Sequence, residues 1–187
     1  MKISVFQVQE GYEWVVPVDD ADFELFRTIS GTSQTATWKP VQMRLVKEDE
    51  RGRPFQQSDI PWLGGHAPVL RERAAAALAS VLLRDGELLP LECSEAALVL
   101  LNVTTVRDAL DLDRSVVVRF PSSGRIMDVK SPVFRPDRLR GVRAFRVPEL
   151  LRGSVFVNDE VVATAQGAGL AGVGFRLVWD GSAPAER

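Results

Sequence analysis

Alternation of hydrophobic and polar residues runs through most of the chain and predicts many short β-strands. The first two candidates are Lys2 to Val8 and Trp14 to Val18, with Glu10-Gly11 as the turn between them. A third is Thr37 to Val46, whose last residues alternate regularly between apolar and polar side chains. Six later segments have the same character: residues 87–92, 97–103, 116–120, 126–134, 144–147 and 173–179.

Two segments follow helical periodicity instead. Residues 69–83 place apolar side chains on one stripe at about 3.6 residues per turn. The members of this stripe are Leu70, Ala74, Leu78, Val81 and Leu82. A second helix is expected at about 159–168, because Asn158 is a good N-cap, two acids follow it, and Gly169 would end the helix. A single capped helical turn is also expected at residues 106–110, after two threonines.

Many short strands and two principal helices, without regular βαβ alternation, predict an α+β fold with a mixed, largely antiparallel sheet. The polar stretch at residues 47–61 contains Gly52, Pro54 and Pro61. This composition indicates a flexible connection. Asp19-Asp20-Ala21-Asp22 is expected to form a loop or a capped helical turn.

Composition agrees with one ordinary folded domain: 187 residues, of which 45% are hydrophobic and 26% charged. No apolar run approaches the roughly 18 to 20 residues that span a bilayer. The N-terminal residues also lack the pattern of a secretory signal, so we expect a cytoplasmic protein without membrane contact. The lone cysteine, Cys93, can form no intramolecular disulfide and is expected to be a buried structural residue.

The net charge of the chain is −2, but the charged residues are distributed unevenly along it. Residues 116–153 carry 9 basic and 3 acidic side chains, a local excess of +6. A basic segment can bind nucleic acid. Here, however, the arginines alternate with strand residues inside an acidic protein, so we interpret them as solvated faces of strands and turns. We expect no nucleic-acid partner.

Residues for catalysis and metal binding are scarce. With one histidine, His66, and one cysteine, zinc and haem sites lack the ligands they need. The glycines at 167–174 follow a helix rather than precede one, which is the wrong order for binding phosphate. His66 stands beside two glycines and is expected to be a surface residue or a local hydrogen-bond partner. We therefore expect no cofactor and no enzymatic activity, and keep a small carboxylate-dependent enzyme as the alternative.

Several motifs occur in a particular order along the second part of the chain. They are Ser58-Asp59-Ile60-Pro61-Trp62-Leu63 before a helix, Glu87-Leu88-Leu89-Pro90-Leu91, the segment Leu101 to Asp111 with Ser115 shortly after, Phe145-Arg146-Val147, Val155-Phe156-Val157, and Gly169 to Phe175 before the last strand. In this order, the stretch from about Ser58 to Trp179 resembles a family of bacterial immunity proteins found beside polymorphic toxins, long catalogued as a domain of unknown function. Residues 1–57 match only weakly.

The resemblance implies a protein that docks on a cognate toxin, encoded by an adjacent gene, and inhibits it stoichiometrically. It implies a variable N-terminal β-rich part at residues 1–57 and an immunity-protein core at 58–180. We expect the two to pack as one domain, with a loose tail at 181–187. No catalytic residue carries over from the family. Its shared Asn102, Asp108, Asp111 and Ser115 are expected to be structural, as caps and turn formers.

A nuclease toxin would have a basic face for nucleic acid, so an acidic inhibitor surface could mimic the phosphates. The candidate partner-binding residues are Asp19, Asp20, Asp22, Glu24, Glu48, Asp49, Glu50 and Trp62. Trp62 and Trp14 could be aromatic anchors, although a core role is equally compatible with the sequence. Two alternatives stay open: that the acids are only solvated loop charges, and that the chain is a structural or regulatory module that binds a protein other than a toxin. The sequence leaves the oligomeric state open.

Overall fold

The computed structural model describes residues 1–181, so the predicted tail at 181–187 lies, apart from Gly181, outside the described residues. The strands are β1 (Lys2–Gln7), β2 (Trp14–Pro17), β3 (Met43–Val46), β4 (Val69–Arg71), β5 (Gly86–Leu91), β6 (Leu98–Val103), β7 (Val116–Arg119), β8 (Ile126–Ser131), β9 (Ala144–Phe145), β10 (Phe156–Asn158) and β11 (Gly174–Asp180). The helices are α1 (Phe23–Arg27), α2 (Glu72–Leu82) and α3 (Asp159–Gly167). Short 3-10 turns occupy Asp20–Asp22, Pro136–Leu139 and Pro148–Leu150.

The strands form antiparallel ladders, and the predicted α+β class is confirmed. They are divided among four small sheets, with the orders β11-β1-β10-β9, β2-β3, β4-β6-β5 and β7-β8. Within residues 1–181, parallel pairing occurs only in isolated bridges, such as the one between Trp14 and Trp62. Because β1 lies between β10 and β11, the first strand and the last strand share one sheet.

Three apolar clusters hold these elements together. The first joins α2 and α3 to the sheets through residues such as Leu78, Leu101 and Val161. The second lies under β2 and β3 and contains the side chain of Phe26 from α1. The third is built on aromatic side chains: the ring of Phe134 meets those of Phe145, Phe156 and Trp179 edge-on, with centroids 5.1 to 5.7 Å apart. Aromatic pairs prefer this edge-to-face geometry.

The first predicted helix, 69–83, is too long at its N-terminus. Val69–Arg71 instead pairs with β6 as strand β4, and α2 begins at Glu72. The apolar residues at this position fit a short buried strand as well as one more turn of helix, so the sequence pattern alone does not distinguish the two. The second helix is nearly as predicted, since Asn158 Oδ1 accepts hydrogen bonds from the N–H groups of Glu160 and Val161 at 3.0 and 3.2 Å. No helix among residues 1–181 has the length and apolar character needed to cross a membrane.

Two other local predictions are wrong. The helical turn expected at 106–110 is extended, because Val106 bridges to Arg146 and Leu110 bridges to Phe134. The strand expected over 37–46 is confined to β3, and its first residues form a turn in which the N–H of Thr37 donates to the carbonyl of Gln34. In the first place tertiary pairing, which leaves no local signal, decides the conformation, whereas in the second a local turn does so.

The segment 47–61 is also more ordered than its composition indicates. Its first part folds back as a hairpin, in which the N–H of Phe55 donates to the carbonyl of Lys47 at 2.7 Å. Its last part is buried, with Ser58 wholly enclosed. The Ser58 N–H donates to the carboxylate of buried Glu13 at 3.0 Å, and Glu13 forms an ion pair with Arg71. The polar residues of this segment therefore fasten the N-terminal part to the rest of the chain.

Candidate partner-binding surface

The predicted acids fall into two groups that the structure holds apart. In the β2–β3 ladder Pro17 faces Met43 and Trp14 faces Val46, so the two strands run in opposite directions. The first acidic group, which consists of Asp19, Asp20, Asp22 and Glu24, follows the end of β2. The second acidic group, which consists of Glu48, Asp49 and Glu50, follows the end of β3. The groups therefore leave the ladder at opposite ends and do not form one surface.

In the first acidic group, two members have structural contacts. Asp19 Oδ1 accepts a hydrogen bond from the Ala21 N–H at 2.9 Å and caps the 3-10 turn, which confirms the predicted capped turn. Glu24 pairs with Arg27 at 2.7 Å on the exposed side of α1. The carboxylates of Asp20 and Asp22 make no hydrogen bond or ion pair within residues 1–181. These two charges are the ones available to a partner.

In the second acidic group, Asp49 builds its own turn. Its carboxylate accepts from the N–H groups of Arg53 and Arg51 at 3.0 and 2.9 Å and pairs with the Arg53 guanidinium at 2.6 Å. These hydrogen bonds, chiefly the one from the Arg53 backbone, lower the pKa of Asp49. Glu48 and Glu50 lie exposed on either side of it. Asp49 therefore forms and stabilises a turn, a local role that does not depend on a partner.

Trp62 lies beside Trp14 and forms an isolated parallel bridge with it. Its carbonyl accepts a hydrogen bond from the Val15 N–H at 3.1 Å, and its side chain is half-buried against the first apolar cluster. Trp14 is the more accessible of the two tryptophans, with 46% of its surface exposed. Since Trp14 pairs with Val46, both aromatics lie nearer to the second acidic group than to the first.

A groove of about 890 Å³ adjoins the first acidic group. It is lined by Val18, Gln42, Met43 and the segment 91–97. Val18 is 56% exposed and leads directly into Asp19. Glu92 forms part of the opposite wall, because its carbonyl accepts from the Met43 N–H at 2.7 Å and its N–H donates to the Val41 carbonyl at 2.9 Å. We name this groove the acidic groove, and include with it Asp20 and Asp22, which follow Val18 in the chain but do not line it.

Sequence reasoning missed Glu92. In the sequence it is one polar residue at the end of a strand, and only the pairing with residues 41–43 brings it beside the first acidic group. Glu95 is on the same wall, but a hydrogen bond from Lys47 holds its pKa below the ordinary value and the two side chains form an ion pair. Cys93 is half-buried in this wall rather than fully enclosed, because the chain leaves the sheet at this point.

A second polar cluster, which the sequence did not indicate, centres on Glu87. Its carboxylate accepts hydrogen bonds from Ser33, Gln34, Thr35 and Asn102 at 2.6 to 2.8 Å. Burial raises the pKa of Glu87, but the four donors outweigh this effect and lower the pKa to about 2. The cluster fixes the loop that precedes β3 against strand β5.

We expect Glu87→Gln to lower the free energy of unfolding at neutral pH by about 1–2 kcal/mol, because the ionised acceptor is lost while its donors remain. A carboxyl group whose pKa is depressed in the folded state stabilises the fold fully at pH values above its ordinary pKa of 4.5. This stabilisation disappears as the pH falls through the folded pKa of about 2. The difference between the wild type and Glu87→Gln should therefore shrink with falling pH. Urea unfolding at several pH values measures this, with exposed Glu10→Gln as the control. A difference that is constant with pH would contradict the assignment.

His66 has the local role that its sequence context indicated. It is half-buried, and burial, together with the nearby Arg146 guanidinium, lowers its pKa, while a hydrogen bond with the Phe26 backbone acts in the opposite direction. The carbonyl of His66 accepts from Arg146 at 2.6 Å. His66 therefore belongs to the surroundings of a buried arginine.

The carboxylates with resolved pKa shifts are all shifted downward, by hydrogen bonds and ion pairs that build turns, loops and strands; they are Asp49, Glu87, Glu95 and Asp128. Enzyme sites that work through carboxylates are commonly deep polar pockets with perturbed acids, whereas the acidic groove is an open surface feature. Among residues 1–181 no three histidine, cysteine or acidic side chains are grouped so that they could hold a metal ion.

No protein-family model matches this sequence, and no curated protein matches it. Three of the four polar residues that we expected to be structural make hydrogen bonds within the fold. Asn102 is fully buried and donates to the Thr32 carbonyl at 2.9 Å, and Ser115 Oγ accepts from the Val133 N–H at 2.9 Å. Asp111 accepts from the N–H of Arg114 at 3.3 Å, in a turn. Asp108 is exposed, 3.9 Å from Arg135.

Proposed function

We propose that this protein is an immunity protein that binds a cognate bacterial toxin domain, encoded by an adjacent gene, and neutralises it by stoichiometric inhibition in the cytoplasm. The resemblance of residues 58–179 to such a family motivates the proposal. The observation that supports it best is the acidic groove. There Glu92 lines a large open groove, and Val18, which also lines it, is followed in the chain by Asp20 and Asp22. These three carboxylates form no ion pair with other described residues.

The chemistry of the acidic groove favours a basic partner. Charge complementarity increases association rates and rejects partners of the wrong sign. Val18 adds an exposed apolar contact beside the charges, and interfaces combine such contacts with a polar rim. The Asp19 cap holds the turn that carries Asp20 and Asp22, so little ordering is needed when a partner binds. A nuclease domain, with its basic face for nucleic acid, is a partner of this kind.

Co-expression tests the function itself. The toxin domain encoded beside this gene is expressed in a bacterial host, with and without this protein. We expect growth only when both are present, and a complex of the two that co-purifies with equal stoichiometry. Absence of rescue together with absence of a complex contradicts the pairing.

Charge reversal tests the surface. We expect Asp20→Lys combined with Glu92→Lys to weaken toxin binding by at least about tenfold, because two attractive contacts become repulsive. The matched control is Glu48→Lys combined with Glu50→Lys, which makes the same change in net charge at the other end of the β2–β3 ladder. Calorimetric titration of the purified pair gives both affinities.

The control should stay within about twofold of the wild type, since the reversal of two distant charges changes only the long-range attraction. Equal weakening by both variants would show that net charge, and not the acidic groove, governs binding. Weakening by the control alone would indicate that the toxin binds at the second acidic group and the neighbouring tryptophans.

A further inference from the structure

A second groove, of about 410 Å³, lies between helix α3 and the strands β1 and β11. Ser4 of β1 and Phe175 and Leu177 of β11 line it on the side of the sheet, and Val162 and Ala163 line it on the side of α3. The helix packs mainly on β1 and β10, so the neighbouring strand β11 is left partly uncovered and Leu177 is 50% exposed. We name this feature the helix groove.

Ser4 is a polar residue in apolar surroundings. It is only 7% exposed, and its neighbours across the sheet are Leu177 of β11 and Val157 of β10. Its hydroxyl group forms no hydrogen bond within residues 1–181, but the oxygen is not fully enclosed, and Ser4 belongs to the lining of the groove. A buried hydroxyl without a partner costs free energy. An occupant that exchanges a hydrogen bond with it removes this cost.

Most of the lining around Ser4 is apolar. Leu170 and Val173 close the groove beyond the C-terminal end of α3, and the ring of Phe175 packs on that of Phe6 with the centroids 5.2 Å apart. Small-molecule sites are typically concave and mostly apolar, with volumes of about 300–1,000 Å³ and a few polar groups that fix the orientation of the ligand. The helix groove has this size and this composition.

The charged residues of the lining lie at the opposite end of the groove. The register of β1 and β10, in which Ile3 faces Asn158, brings Lys2 and Asp159 to this end. Lys2 lies 4.0 Å from Asp180, and Asp159 forms no ion pair within residues 1–181. Charges of both signs therefore meet here, and a ligand with a single charge is repelled by one of them. Deeper in the groove a charged group would lose its hydration and find only the neutral Ser4 hydroxyl. An uncharged ligand avoids both costs.

Both sides of the helix groove are fixed to the rest of the fold. Val161 and Ala165 anchor α3 in the first apolar cluster, and β11 is held by its ladder with β1. The turn between α3 and β11 is held at Ala171, whose N–H donates to Asp59 Oδ2 at 2.8 Å and whose carbonyl accepts from the Asp59 N–H at 2.9 Å. The groove is therefore formed before a ligand arrives, which reduces the cost of binding.

The structure assigns to the helix groove a binding site for an uncharged amphiphile, a small molecule with an aliphatic body and one hydroxyl group. The hydroxyl group of the ligand exchanges a hydrogen bond with Ser4, and the aliphatic body covers Val162, Phe175 and Leu177. The proposal goes beyond the proposed function, because it needs neither a toxin nor the acidic groove. A failed rescue experiment would leave it unaffected.

Methyl NMR on the full chain, with labelled leucine and valine, tests the ligand class. The probes share one six-carbon chain and differ in charge: 1-hexanol, hexanoate and hexylamine. We expect 1-hexanol to shift the methyl signals of Leu177 and Val162 and to leave those of Leu45, which is buried in the second apolar cluster, in place. It should bind more tightly than either charged probe. Each methylene added to the alcohol should tighten binding by about threefold to fourfold, as its transfer into an apolar site requires.

Three variants make the test specific. Ala163→Phe fills the groove from its exposed wall and should weaken 1-hexanol by at least about tenfold. Ala76→Phe is the matched control, since Ala76 is exposed on α2 outside the groove, and it should change the affinity by no more than about twofold. Ser4→Ala removes the hydrogen bond and should weaken binding by about fivefold.

Several outcomes would overturn the proposal. They are the absence of a shift at Leu177, tighter binding of hexanoate or hexylamine, an equal loss in Ala76→Phe, and an unchanged affinity in Ser4→Ala. A Leu177 signal that moves with protein concentration alone would also overturn it, because a second copy of the chain would then occupy the groove.

Discussion

Arg146→Ala is expected to lower the free energy of unfolding by about 3–5 kcal/mol. Arg146 is fully buried, and its guanidinium donates to the carbonyls of Val103, His66, Leu151 and Gly153 at 2.6 to 3.2 Å. Burial lowers its pKa to about 10, so the group remains charged at neutral pH. Alanine would leave four acceptors without their donor and a cavity where a large side chain was. Urea unfolding followed by circular dichroism measures the loss.

Two further variants separate the causes. Arg146→Lys keeps the charge but offers fewer donors from a single nitrogen, so it should recover only part of the loss. Arg140→Ala removes an exposed arginine six residues earlier and should change the free energy by less than about 0.5 kcal/mol. A loss of less than about 1 kcal/mol in Arg146→Ala would contradict the view that this residue holds four segments together.

Arg146 also illustrates what the sequence cannot reveal. In the sequence it is one of nine basic residues at 116–153, which we interpreted as solvated positions on strands and turns. That interpretation fits exposed Arg119 and Arg140, but it is wrong for Arg146. Its burial depends on carbonyl groups from segments up to 80 residues away, and no local pattern encodes that convergence. Residues with such long-range partners are the ones that sequence periodicity misplaces.

Local signals were reliable where the interactions are local. The Asn158 cap and the acids after it predicted the start of α3, and Asp19 predicted a capped turn, because each partner lies two or three residues away. The boundary between β4 and α2 was not predictable in this way. Val69 and Leu70 are buried by pairing with β6, about 30 residues later, and their apolar character is compatible with either a strand or a helix.

The same distinction applies to the candidate surface. The acids were visible in the sequence, but their arrangement depends on strand direction, which places the first and second acidic groups at opposite ends of one ladder. Glu92 comes near the first group only because the chain returns beside residues 41–43 after β4, α2 and β5. A list of acidic residues therefore becomes a surface only after the topology is known.

Replacing Arg71 by methionine is expected to lower the free energy of unfolding by about 3 kcal/mol or more. Its guanidinium forms an ion pair with Glu13, whose side chain is only 4% exposed, and its Nε donates to the Ser58 carbonyl at 2.9 Å. Removing the cation leaves a buried carboxylate whose remaining donor is the Ser58 N–H at 3.0 Å. Methionine preserves much of the side-chain volume, so the loss reports on charge rather than on packing.

Glu13→Gln completes a double-mutant cycle for this contact. Glu13→Gln alone should lower the free energy of unfolding by less than Arg71→Met does, because glutamine keeps an acceptor for the Ser58 N–H and carries no charge. The double variant should then be more stable than the sum of the single losses indicates, by at least about 1 kcal/mol, since no unpaired charge remains buried. Additive losses would mean that the two side chains act independently.

Because Glu13 lies on the N-terminal side of residue 57 and Arg71 beyond it, a large coupling in a single unfolding transition would also mean that the two parts of the chain unfold together.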